Sequence, residues 1–306
     1  MDATPSVNLP GGAASGLPDD PPAPLRIGRR RFEWGARTYV MGVINVTPDS
    51  FSGDGLLAEG RDPEEAAVEQ ARRMAEEGAD LLDIGGVSTR PGHRPVPADE
   101  EARRVVPVVR AVRKALPKMP LSIDTTSVAV AEQALDAGAD LVNDVWGVGA
   151  DDALARLAAD RGVPLVVMHN RAEPRYRSVV AEVLADLSRA IERAVDLGVA
   201  FESLIVDPGI GFGKTAVQNL ALLGELDVLT RLGRPILLGT SRKSTIGKVL
   251  DLPADQRLEG TLATTALGIA AGADIVRVHD VLANVRVSRM SDAVVRGGWS
   301  EEAPSR

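Results

Sequence analysis

The chain has no cysteine. That excludes disulfides, thiolate nucleophiles and thiolate metal sites, and it is compatible with the reducing cytoplasm expected for this protein. It has only three histidines, at 93, 169 and 279, too scattered for a zinc site. No apolar run approaches the ~18 residues of a membrane span, and the N-terminus lacks the basic-then-apolar layout of a signal peptide. No serine sits in a nucleophile elbow. A net charge of −8 and a pI near 5.1 argue against nucleic acid as the main ligand. Five lysines accompany thirty arginines, a compositional bias rather than a site signal.

What is present is a repeated strand pattern. Eight short apolar runs end in polar residues: Asn45, Asp83, Asp124, Asn143–Asp144, His169–Asn170, Asp207, Ser241–Lys243 and Arg277–His279–Asp280. The expected strands are 38–45, 79–86, 120–124, 140–145, 164–170, 203–207, 235–241 and 274–280. Expected helices lie near 62–77, 98–115, 127–137, 151–161, 177–197, 216–230, 258–271 and 281–296. "EEGADLLDIGG", "DAGADLVNDVWG" and "AAGADIVRVHDV" share a helix end, Gly-Ala-Asp and an apolar strand. Gly78, Gly138 and Gly272 suit the left-handed residue that closes a helix. Repeated helix–strand joints imply parallel strands with helical crossovers. In a barrel of such strands, eight distant segments share one mouth. The rival, a doubly wound open sheet, usually carries a Gly-rich fingerprint after its first strand, and "MGVINVTPDSFS" has none. Residues 1–24, with six prolines and three glycines, read as a disordered leader, 25–296 as one barrel domain and 297–306 as a flexible tail. The basic cluster Arg26–Arg31 reads as the solvated edge of an entry strand or hairpin.

The densest loop, "DPGIGFGKT" (207–215), fails as a phosphate loop because Pro208 stands where the spacing needs glycine. What remains is the Asp207 carboxylate at a strand end, before a turn with little side-chain bulk. "GTSRKSTIG" (239–247) places Ser241, Arg242, Lys243 and Ser244 before a helix start, where backbone N–H groups and two cations can hold an anion. In "RVHDV", Arg277 and His279 fall on one strand face. Together these imply a phosphate or pyrophosphate pocket. Asn45, Asp124 and Asn143 end three other strands. Carboxylates and carboxamides clustered at a mouth suit a polar heterocycle rich in N–H and C=O groups. Each has a plainer reading as a turn or helix cap. "NVTPDSFSGDG" and "STRPGHRP" are long Pro/Gly loops of the kind that act as lids, and Phe51 reads as a stacking residue in the first. His93 reads as a loop residue, and His169 as a support for its strand end rather than a metal ligand.

"NVTPDSFS", "DIGGVSTRPG", "SIDTT", "NDVWG", "MHNR", "DPGIGFGK", "GTSRKSTIG" and "RVHDV" occur in the order and spacing of a known family. From about Met41 to Val281 the chain resembles the dihydropteroate synthases of folate biosynthesis, the sulfonamide target. The resemblance implies a single-domain (β/α)8 TIM barrel. It also implies a transferase that joins 6-hydroxymethyl-7,8-dihydropterin diphosphate to p-aminobenzoate and releases pyrophosphate, through a dissociative pterin cation with Mg²⁺. By resemblance, Asp124, Asn143, Asp207 and Lys243 form the pterin pocket with Met168 packing on the ring. Arg277, His279 and Asn45 take the diphosphate end, with Asn45 helping to hold Mg²⁺. The catalytic set implied is Asp207, Lys243, Arg277, His279 and Asn45. Thr89, Arg90 and Pro91, with Arg242, Lys243, Ser244 and Phe51, take the p-aminobenzoate side, and Thr89 also borders the pterin diphosphate. A homodimer is implied, with neither nucleic acid nor membrane as partner.

The chain departs from the pattern at Val87, where the family usually has glutamate, and in the order of "SGDG". Val87 touches the p-aminobenzoate side and sulfonamide affinity, not the pterin and diphosphate residues. Two other functions stand beside the synthase. A pterin-dependent methyltransferase domain would share the Asp/Asn pocket but needs no diphosphate anchor, so "SRKS" and "RVHD" argue against it. A non-catalytic pterin-binding paralogue would bind the diphosphate without turnover.

Overall fold

The computed structural model of the 306-residue chain describes residues 21–46, 62–87, 96–147, 152–297 and 299. Its strands are β1 (Leu25–Ile27), β2 (Arg30–Phe32), β3 (Tyr39–Asn45), β4 (Leu81–Gly85), β5 (Leu121–Asp124), β6 (Leu141–Asp144), β7 (Leu165–Met168), β8 (Leu204–Asp207), β9 (Leu237–Leu238) and β10 (Ile275–Val278). Its helices are α1 (Pro63–Glu76), α2 (Ala98–Ala115), α3 (Val128–Ala137), α4 (Ala153–Arg161), α5 (Val179–Asp196), α6 (Ala216–Gly224), α7 (Ser244–Leu250), α8 (Leu258–Ala270) and α9 (Val281–Val295).

β3 to β10 are all parallel, in the order β8-β7-β6-β5-β4-β3-β10-β9. A parallel bridge between Val206 and Ile236 joins the two ends of that order. The ring closes, so the barrel stands and the open sheet does not. All eight barrel strands lie inside the expected runs. Two helices differ: α7 is additional to the eight expected ranges, and the stretch expected at 216–230 stops at Gly224 and tightens into a 3₁₀ turn over Leu226–Leu232. The three-residue step of that turn buries Leu226 and Leu229 together, which an apolar period alone does not distinguish from α-helix.

Alternation along the strands divides the apolar residues into two cores. Val40, Ile44, Leu82, Ile84, Val142, Val206, Val276 and Val278 face the helices. Tyr39, Met41, Leu81, Leu141, Val166, Ile205, Leu237 and Ile275 fill the lower barrel. The β1–β2 hairpin closes that end with Leu25, Ile27, Phe32 and Trp34, while Arg26, Arg29, Arg30 and Arg31 stay at the surface. The basic cluster is thus the outer edge of a hairpin. The lower half is filled by hydrocarbon, so chemistry is left to the upper half.

The Gly-Ala-Asp repeat has a structural cause. Gly78, Gly138 and Gly272 are left-handed, at φ +103°, +116° and +97°. Each following aspartate then clamps the neighbouring strand. Asp80 accepts the Val40 N–H at 2.9 Å, Asp140 the Leu121 N–H at 3.0 Å and Asp274 the Ile236 N–H at 3.1 Å. The backbone N–H of each aspartate donates in return to the carbonyl of that same residue, at 2.8, 2.7 and 2.9 Å. The device fixes strand register at the start of three strand pairs. Arg37 adds a two-pronged contact to Asp80, at 2.9 and 2.6 Å. Asp80→Ala leaves the Val40 N–H buried without its partner, so urea unfolding is expected to show a loss of about 1–3 kcal/mol. An unchanged midpoint would contradict the clamp.

Candidate active site

The inner row that carries hydrocarbon low in the barrel turns polar near the strand C-termini. The same alternation places Asp83, Ser122, Asp124, Asn143, Met168, Asp207 and Arg277 inward. Asn45 and His279 follow at the rim. Residues expected at the mouth from strand endings alone therefore share one row around the ring.

Arg277 is the hub. Its Nε donates to Asp83 Oδ2 at 2.6 Å and its Nη2 to Asp124 Oδ2 at 2.7 Å. Asn143 Nδ2 donates to the same Asp83 oxygen at 3.1 Å. Asp83 is fully buried, Asp124 is 8% exposed and Asn143 3%. Asp83 Oδ1, Asp124 Oδ1 and the Ser122 hydroxyl are buried without a partner among the described residues. Buried polar atoms without partners are rare, and at a barrel mouth they mark places where a ligand completes the hydrogen bonding. Burial raises the Asp124 carboxyl to about 7, with Arg277 opposing and Asp83 adding to the rise. Burial would lower Arg277, but the carboxylates of Asp83 and Asp124 outweigh it and raise the guanidinium further. Two carboxylates sharing one guanidinium leave a net negative set that favours a hydrogen-bond donor.

Asp207 is held differently. Its Oδ1 accepts the Gly209 N–H at 2.7 Å, so it is at once a turn cap and an inward carboxylate. Burial raises its carboxyl above the ordinary range, with Lys243 opposing. Lys243 donates to the Ile210 carbonyl, and its Nζ lies 4.3 Å from the centre of the Phe212 ring. Arg242, at φ +57°, gives its Nη2 and Nε to Asp280 at 2.9 and 3.2 Å. The two cations expected to face one anion therefore reach different partners. Ser244 begins α7, with Lys243 as its N-cap. His279 Nδ1 lies 2.9 Å from Ser241 Oγ, which accepts the His279 backbone N–H at 3.2 Å. With the Ser241 hydroxyl donating to Nδ1, Nε2–H becomes the donor. His169 supports its strand end, as expected, with its ring between Lys214 and Asp186.

Phe51, Thr89, Arg90, Pro91 and His93 lie outside the described residues. Val87 is described and half-buried. Sequence reasoning named Asp83 as a strand ending but gave it no role, although its parity with Gly85 beside Asp124 was a usable signal. Ser122, Phe212 and Lys214 were missed; Phe212 is one of only four phenylalanines and sits in the densest loop. Among the described residues no group of three or more His, Cys, Asp or Glu could hold a metal ion. A cavity of ≈ 730 Å³ near the opposite end of the barrel is bordered by Trp34, Arg234 and Asp274 and contains none of these residues.

A closed (β/α)8 barrel with acids, amides and cations converging at its strand C-termini has the architecture of a barrel enzyme. The model of the pterin binding enzyme family matches residues 41–279. The dihydropteroate synthase of Clostridium beijerinckii is 48% identical over 273 residues, covering 89% of this chain and 100% of that protein. The Bacillus subtilis dihydropteroate synthase is 47% identical, covering 86% and 90%. A Clostridium difficile dihydropteroate synthase structure in the presence of pteroic acid superposes with a TM-score of 0.81 at 48% identity, covering 87% and 99%. The Xanthomonas albilineans enzyme in complex with 7,8-dihydropteroate gives 0.80 at 40%, covering 92% and 100%. The chain belongs to the dihydropteroate synthase family of pterin-binding enzymes.

Arg277→Met strands two buried carboxylates, so unfolding at neutral pH is expected to show a loss of about 3–5 kcal/mol. The loss should shrink as pH falls, because protonated carboxyls need no counter-ion. A loss that grows in acid would overturn the pairing.

Proposed function

We propose that this chain catalyses the reaction for which its family is named, in folate biosynthesis. 6-Hydroxymethyl-7,8-dihydropterin diphosphate and p-aminobenzoate give 7,8-dihydropteroate and pyrophosphate. The observation that carries the reading is the buried Asp83–Arg277–Asp124 set, with Asp124 Oδ1 lacking a partner at the mouth of a barrel of this family. Dihydropterin presents adjacent ring N–H and amino donors, which suit carboxylates at Asp124 and Asp207 and the carboxamide of Asn143. Met168 contributes an apolar, polarizable surface for the ring. The exocyclic C–O bond breaks, its electron pair leaves with the diphosphate, and the positive charge spreads into the pterin. The arylamine nitrogen then forms the C–N bond and gives up a proton. Asp207 favours the developing cation, while Arg277 and His279 Nε2–H stabilise the departing oxygens.

Asn45, at the rim, would offer one carboxamide oxygen to a metal ion. That fits Mg²⁺ arriving on the substrate's diphosphate, since Mg²⁺ commonly takes one or two protein oxygens and completes its shell with phosphate and water. When bound it would supply charge neutralisation at the leaving group. We assign Thr89, Arg90, Pro91, Phe51, Ser244, Arg242 and Lys243 to the arylamine side, following the family pattern. The "SRKS" and "RVHD" segments still favour a diphosphate substrate over methyl transfer.

We further propose that the chain is a cytoplasmic homodimer of one barrel domain. The absence of cysteine suits that compartment. No helix of the described residues is long and apolar enough to cross a membrane. α6, α7 and α8 pack together and expose Val217, Leu220, Val249, Leu250 and Leu267, an apolar face that a second copy would cover. Leu267→Glu is expected to shift sedimentation from dimer to monomer; a monomeric parent would remove the proposal.

Pyrophosphate release from the pterin diphosphate should depend on p-aminobenzoate and yield dihydropteroate. Tight binding without release would favour the non-catalytic reading instead. Asp207→Asn should lower kcat about 10²–10³-fold. Because Asp124 accepts ring hydrogens more strongly when ionised, pterin affinity should rise as pH climbs through about 7, and Asp124→Asn should flatten the rise. An unchanged pH profile in that variant would assign the dependence elsewhere.

A further inference from the structure

Lys214 lies one residue before the helix cap Thr215, in a motif whose lysine has no phosphate loop to serve. Its Nζ turns inward to four acceptors. They are His169 Nδ1 at 2.9 Å, the Gly209 carbonyl at 3.0 Å, the Phe212 carbonyl at 3.1 Å and, more distantly, the His169 carbonyl at 3.4 Å. Burial lowers its pKa to about 7 against the pull of Asp207, and in the protonated form three ammonium hydrogens meet three close acceptors. The residues it binds are those that fix the reaction site. Gly209 donates to Asp207 Oδ1, Phe212 offers its ring to Lys243, and Ile210 between them takes the Lys243 ammonium.

The other side of the clamp is anchored in α5. His169 Nε2 lies 3.1 Å from Asp186 Oδ2, so Nε2 carries the hydrogen and Nδ1 is left as the acceptor that Lys214 needs. Arg171 Nη2 donates to that same Asp186 oxygen at 2.6 Å, and Tyr176 donates to the Gly213 carbonyl at 3.0 Å. The turn lies close against the end of β7. Gly209 is at φ +67°, and a Cβ there would stand 1.9 Å from the His169 carbonyl oxygen. Burial, followed by the Lys214 charge, lowers His169 to about 4, which keeps the ring neutral and the acceptor nitrogen bare.

We propose that Lys214 is a positioning residue for the pterin site: it ties the 209–212 turn to His169 and so holds Asp207 and Lys243 in their receiving arrangement. This rests on the synthase reading above. The chain of contacts runs from Asp186 through His169 and Lys214 to Gly209 and Phe212, and from there to the two side chains at the ring. Lys214 acts through those two side chains.

The test compares the full-length parent with Lys214→Met and Lys214→Gln. Binding of the dihydropterin diphosphate is measured by calorimetry, turnover by pyrophosphate release, and Tm alongside. Positioning predicts that Kd in the methionine variant rises roughly tenfold, with the glutamine variant between it and the parent. A merely structural lysine would lower Tm and the active fraction but leave the Kd of the folded fraction unchanged, and that result overturns the proposal. Should the methionine variant not fold, the glutamine variant decides by the same criterion. In the parent, nitrogen-15 NMR of His169 should show a bare, hydrogen-bonded Nδ1; a hydrogen on Nδ1 would overturn the clamp. Absence of dihydropteroate formation by the parent would instead fail the synthase reading, leaving the His169 spectrum to judge the geometry.

Discussion

A guanidinium buried between two carboxylates is the constraint on which the barrel mouth depends. A charge taken from water costs far more than it returns unless it is paired and hydrogen-bonded. Arg277 meets that condition through Asp83 and Asp124, and Asn143 completes one side by donating to Asp83. Four strands are thereby held at one height by side chains as well as by backbone ladders. The pairing is not neutral, however. Burial, opposed by Arg277 and reinforced by Asp83, leaves Asp124 with a raised carboxyl and an oxygen that nothing in the described protein satisfies. The same set that orders the mouth leaves it incomplete until a donor-rich ligand arrives.

The two halves of the barrel divide the work. Below, the hairpin and the inward apolar row exclude water, and the aspartates of the Gly-Ala-Asp repeats set register where strands begin. Above, the inward positions are given to acids, amides and cations. This separation lets a site carry unsatisfied groups without losing the fold, because hydrophobic burial is concentrated elsewhere.

Much of this could be read in the chain before any coordinates. The apolar runs located all eight barrel strands, and alternation alone put Arg277 and His279 on one face. Strand endings identified Asp124, Asn143 and Asp207. What could not be read was pairing across the ring. Arg277 and Asp83 are 194 residues apart, and nothing local marks Asp83 as its partner. Arg242 and Lys243 looked like twin anion ligands because they are adjacent; the left-handed backbone at Arg242 sends it to Asp280 while Lys243 reaches Ile210. Lys214 carried no local signal of its part in the turn, since its acceptors include carbonyls that every residue possesses. The break after Gly224 was hidden because α and 3₁₀ turns bury residues at nearly the same interval.

The central claim is that the unpartnered oxygen of Asp124 is completed by the dihydropterin ring. The most direct measurement is a crystal structure of the complex with dihydropterin diphosphate at a resolution that defines the ring orientation. The account predicts a ring nitrogen within hydrogen-bonding distance of Asp124 Oδ1, with Arg277 still bound to Asp83. A ring seated elsewhere, with that oxygen still bare, would contradict it.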